Sequence, residues 1–122
     1  MDHLASFLST ASWKKDKESR NVFFCDDLDL EPLLVRASSE LPTYLQGHGF
    51  QVWKVLEETK FVEKDGIGKH GYIIPVAIIS GRPRLLSEPS QPVLVPKTPT
   101  AFQNGPVISP ALYLILALPP IT

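Results

Sequence analysis

Apolar residues follow two periods along this chain. Leu4, Phe7, Leu8 and Ala11 stand at i, i+3, i+4 and i+7, which predicts a short helix over residues 3–13 with Asp2 as its cap. Residues 14–20 mix lysines with acids and predict a solvated linker. Residues 22–25 form a short apolar run and predict a strand. Asp29 is placed to cap a second helix, and Pro32 is tolerated in its first turn. Leu30, Leu33, Leu34, Ala37 and Leu41 then repeat with helical spacing up to Pro42. Tyr44 and Leu45 extend the stripe by one turn to Gly47, a natural stop.

The second half changes period. Phe50, Val52, Trp53, Val55 and Leu56 predict a strand over residues 50–56, with a turn or bulge before Phe61 and Val62, although Val52, Val55, Leu56 and Thr59 also fit a helix. Residues 64–71 carry three glycines and predict a loop. Residues 72–80 form a near-continuous β-branched run that suits a strand buried on both faces. Pro75 inside it demands an edge or a bulge. Nine of the twelve prolines fall after residue 81, among apolar runs at 93–95, 107–108 and 111–118. Proline excludes long helices and central ladder positions, so residues 91–95 and 107–118 predict short strands between turns. The expected fold class is α+β. One or two N-terminal helices pack on a small, mostly antiparallel sheet, followed by a proline-rich apolar C-terminal segment. Residues 1–81 are expected to form a compact body. Residues 82–122 either complete its sheet or exchange between subunits.

Composition narrows the function classes. At 43% hydrophobic and 20% charged, the chain of 122 residues has the makings of a core, and one domain is the expectation. A net charge of -1 provides no field for nucleic acid, so no nucleic-acid partner is expected. One cysteine, Cys25, forbids an internal disulfide and fits a reducing compartment, cytoplasmic or nuclear. The first residues lack a basic leader pattern, and the run at 111–118 is far short of the ~20 residues needed to span a bilayer.

Candidate chemistry is sparse. The glycine-rich stretch 66–71 lacks the spacing of a phosphate loop, and His70 stands where Ser or Thr is required. Cys25 lies between Phe24 and two aspartates, which disfavours a thiolate. His3, His48 and His70 show no metal-ligand spacing. Trp13 beside Lys14 and Lys15 is a weak base-stacking motif diluted by Asp16 and Glu18. Thr98 and Ser109 precede prolines, and Pro89 with Pro92 and Pro96 with Pro99 form minimal polyproline patterns. No catalytic residue, cofactor or metal is expected.

The function expected is non-enzymatic protein–protein interaction of the adaptor kind, with self-association through the apolar C-terminal segment. The partner-binding candidates are Phe23, Phe24, Leu30, Leu33 and Leu34, which mix apolar bulk with carboxylates, and Leu112, Tyr113, Leu114 and Leu116. An alternative is peripheral binding to a lipid surface through the N-terminal helix or residues 112–118, with Lys14, Lys15 and Lys17 facing anionic headgroups. A third is a small enzyme using Cys25 or residues 66–71.

Overall fold

The apolar run near the C-terminus forms the middle of a sheet in the computed structural model, which describes residues 1–15, 21–61, 70–103 and 105–119. In chain order the elements are α1 (Asp2–Leu8), β1 (Trp13–Lys15), β2 (Val22–Cys25), α2 (Leu30–Ser38), a 3₁₀ turn (Thr43–Leu45), β3 (Gly49–Val55), β4 (Thr59–Lys60), β5 (His70–Ile78), β6 (Thr100–Gln103), β7 (Val107–Ile108) and β8 (Leu112–Leu118). Six strands form an antiparallel sheet in the order β1-β2-β3-β8-β5-β6, and β4 pairs with β7 in a small second sheet. The fold is α+β.

β8 lies between β3 and β5, with Leu114 opposite Trp53 on one side and Pro75 on the other. Alternation sends its residues to both faces. Ile115 and Ala117 meet Leu4, Leu8, Leu34, Ala37, Leu41 and Leu45 under the helices. Leu112, Leu114 and Leu116 meet Trp53, Ile73, Leu85, Leu94, Phe102 and Ile108 on the opposite face. A strand covered on both faces must be apolar throughout, which explains its composition.

The proline-rich stretch supplies that second cover. Its backbone groups find partners without a regular ladder. The Leu85 amide donates to the Pro92 carbonyl at 3.0 Å, Leu94 to Pro83 at 2.9 Å, and Leu86 to Val107 at 2.7 Å. Leu85 and Leu94 are buried beneath it. Residues 91–95 therefore make a single bridge, Val93 to Arg84, where a strand was expected. Chain segments on both sides of residue 81 build one sheet.

Pro75 sits at a bulge. Register shifts between Pro75 and Ala77, leaving Val76 as the extra residue. The pairing with β6 ends at Ile73, and the Pro75 carbonyl instead accepts the Lys97 amide at 2.9 Å.

Three local expectations are corrected. α1 ends at Leu8, and Asp2 lies within it while Met1 holds the cap position. Trp13–Lys15 is an edge strand, not a linker, because charged side chains are well suited to a solvent-facing edge. α2 ends at Ser38, so Leu41 joins the core from beyond the helix. Val62 and residues 64–69 of the expected loop lie outside the described residues; His70 and Gly71 begin β5.

Gly71 marks a close approach. A Cβ there would stand 2.5 Å from the Ala117 carbonyl oxygen and 2.9 Å from Phe102 Cζ. Both neighbours are buried, and one is backbone. Gly71→Ala is therefore expected to cost about 1–3 kcal/mol by overpacking. A lower melting temperature by circular dichroism checks this, and an unchanged one refutes it.

Candidate functional site

The nine partner-binding candidates do not converge. Leu112, Leu114 and Leu116 are fully buried within their own chain, and Tyr113 is half-buried. The three leucines serve the central strand and present nothing to a partner in this fold. Leu34 is buried, while Leu30 and Leu33 pack partly against the helix-side core. The leucine stripe of α2 thus faces inward.

Phe23 and Phe24 point to opposite faces of β2. Lys54 Nζ lies 4.7 Å from the Phe23 ring centre and 4.9 Å from that of Trp13, and Trp13 stacks on Tyr113 at 5.7 Å. That cation is already held by rings of its own chain. Phe24, 36% exposed, meets Trp53 edge-on at 5.2 Å.

Cys25 is 2% exposed. Burial pushes its thiol up, the Asp27 and Asp26 carboxylates act in the same direction, and a hydrogen bond from the Asp27 backbone opposes them. A thiol held protonated in this way is a poor nucleophile. The aspartates tie the start of β1 to the start of α2. The Asp29 and Ser12 amides each donate to the Asp27 carboxylate at 2.9 Å, and these bonds hold its carboxyl below the usual range. Ser12 Oγ donates to Asp26 at 3.1 Å. Among the described residues, no group of three His, Cys, Asp or Glu side chains gathers for a metal ion.

A cleft that the leucine stripe does not indicate lies on the flank of α2. Glu31, Leu34, Val35 and Ser38 are spaced i, i+3, i+4 and i+7 along the helix and line one wall. His48 and Phe50, at the start of β3, line the other, around a cavity of ≈ 250 Å³. The turn before β3 fixes the imidazole. Gly47 has φ +82°, a conformation open to glycine, and the His48 amide donates to the Leu45 carbonyl at 3.2 Å. The His48 ring stands edge-on to Tyr72 at 6.2 Å, and Tyr72 leans on Tyr44 at 5.3 Å.

His48 Nδ1 is buried and has no hydrogen-bond partner. A buried nitrogen left unpaired costs about 1–3 kcal/mol, so a partner that reached it would recover that cost. The Ser38 hydroxyl spends its proton on the Val35 carbonyl at 2.7 Å. Its oxygen is left as an acceptor. Glu31 is exposed and has no ion-pair partner among the described residues. Val35, in the cleft wall, is 60% exposed, and Tyr44, in the 3₁₀ turn before β3, is 55% exposed.

No family model, curated protein or solved structure matches this chain. Geometry alone therefore carries the functional argument. Among the described residues, no helix is long and apolar enough to cross a membrane.

Proposed function

We propose that this chain is a non-enzymatic protein-binding module of the cytosol or nucleus, acting through the face formed by α2 and the turn before β3. The exposed Val35 in the wall of a cleft that also holds the unpaired Nδ1 of His48, together with the exposed Tyr44 in the turn before β3, carries this proposal. Interfaces favour such an arrangement: an aromatic and an aliphatic anchor around a few polar groups that fix register. The buried thiol of Cys25 supports a role other than nucleophilic catalysis. Self-association through residues 107–118 is not part of the proposal, because Leu112, Leu114 and Leu116 are consumed by the core. Lipid insertion by α1 is also set aside, since Leu4 and Leu8 are buried inward.

The double variant Val35→Glu/Tyr44→Glu tests the assignment. Both side chains are largely exposed, so the fold is expected to survive. Quantitative affinity capture from cells would compare it with the intact chain and with Phe24→Ser as a control on a different surface. Proteins retained by the control are expected to fall by about tenfold or more with the double variant, as loss of interface anchors requires. Identical capture profiles for all three chains would refute the assignment.

A further inference from the structure

We infer that the α2–β3 cleft takes a guanidinium group, supplied by an arginine side chain of the protein partner. This deepens the binding assignment above and rests on it. Three observations converge. First, ≈ 250 Å³ is smaller than the roughly 300–1,000 Å³ of pockets for drug-sized ligands, so the occupant is a single side chain or a fragment of that size. Second, each polar side chain lining the cleft offers an acceptor. Glu31 offers a carboxylate, Ser38 an oxygen whose proton is already spent, and His48, in its Nε2–H form, a bare Nδ1. The matching ligand is rich in donors and positively charged. Third, Leu34, Val35 and Phe50 make the remaining walls apolar.

Arginine meets all three conditions better than lysine. Its guanidinium has five N–H donors in a rigid plane, is weakly hydrated and stacks on rings such as Phe50. Lysine offers a compact ammonium that holds its water tightly and points its donors at one locus. A neutral urea of the same shape keeps most donors but lacks the charge that Glu31 requires.

The test is a two-dimensional NMR titration of the full, isotope-labelled chain with blocked arginine, blocked lysine and blocked citrulline. Blocked arginine is expected to produce saturable shifts at Val35, Ser38, His48 and Phe50, with a millimolar dissociation constant befitting one side chain. Lysine is expected to bind at least threefold more weakly, and citrulline not measurably. Glu31→Gln and His48→Phe, each checked for an undisturbed spectrum, are each expected to weaken arginine at least fivefold. No saturable shift with arginine at about fifty times a millimolar constant overturns the site, as does equal binding of citrulline.

A further arm separates the sources of the group. A short peptide with arginine between apolar residues that binds tenfold tighter than blocked arginine places the guanidinium on a protein. A peptide no tighter than blocked arginine overturns the partner's arginine as occupant and leaves a small free guanidine. The two proposals fail differently. Arginine binding with unchanged capture by Val35→Glu/Tyr44→Glu removes the protein-binding assignment. Lost capture without arginine binding removes the guanidinium site alone.

Discussion

A chain cut after residue 81 is expected not to fold. The cut removes β8, and with it the only strand that joins β3 to β5 among the described residues. Val52, Trp53 and Val55 on one side, and Ile73 and Ile74 on the other, would lose their shared neighbour and face water. The cut also removes Leu85, Leu94, Phe102 and Ile108, which roof one face of the sheet. Each such side chain contributes about 1.5–3 kcal/mol on burial, and a domain's net stability is only about 5–15 kcal/mol. Loss of a whole cover and a central strand exceeds that margin. Circular dichroism and an amide NMR spectrum of residues 1–81 check the prediction. Flat thermal curves, collapsed amide dispersion and aggregation by light scattering are expected. A cooperative melt with dispersed amides would show the N-terminal part to be self-sufficient and would overturn the architecture described above.

The layered fold was legible in the sequence where one physical rule acted alone. The stripe Leu30, Leu33, Leu34, Ala37 gave α2, and the inward-facing positions match it. The β-branched run around Ile73 and Ile74 gave a doubly buried strand, and Pro75 called for an edge or a bulge, of which the fold has the bulge. The role of β8 was harder to read. The same signature of unbroken apolar residues recurs at Leu112–Leu118, but surrounding prolines suggested short strands between turns. The prolines from 83 to 99 lie in the irregular cover whose amides pair case by case. Proline density therefore marked the roof, and aliphatic density marked the beam beneath it. The short strand β1 was hidden because two of its three residues are lysines, which read equally as linker and as edge.

The cleft was not legible. Gly47 predicted a stop, and the chain does turn there, with φ +82°. The neighbours of His48 across the cleft are fixed by how α2 settles on the sheet, which no local spacing encodes. Val35 left a faint signal, as an aliphatic residue on the polar side of an otherwise well-segregated helix. Tyr44 left another, as an aromatic residue in a short turn. The aromatic pair Phe23 and Phe24 stands out in the sequence as apolar bulk beside carboxylates. Strand alternation then divides them between two faces, which no argument from composition can anticipate.

Leu114→Ala is expected to destabilise the protein by about 2–5 kcal/mol, lowering its melting temperature by on the order of 10 °C. Leu114 is fully buried, lies opposite Trp53 and Pro75, and belongs to the cluster beneath the proline-rich cover. Alanine would leave a cavity that two hydrogen-bonded ladders prevent from collapsing. Leu28→Ala removes the same atoms from a residue that is 95% exposed, so its cost is expected to stay within about 0.5 kcal/mol. Urea melts of the three chains isolate burial from side-chain chemistry. Equal, small costs for both variants would mean that β8 is not the core strand. The pair also separates stability from binding. Leu114 points away from the helices, whereas α2 rests on Ile115 and Ala117 through the other face. Below its melting transition, Leu114→Ala is therefore expected to bind blocked arginine as the intact chain does. A loss of that binding in a chain still folded would mean that the cleft draws its geometry from the far side of the sheet.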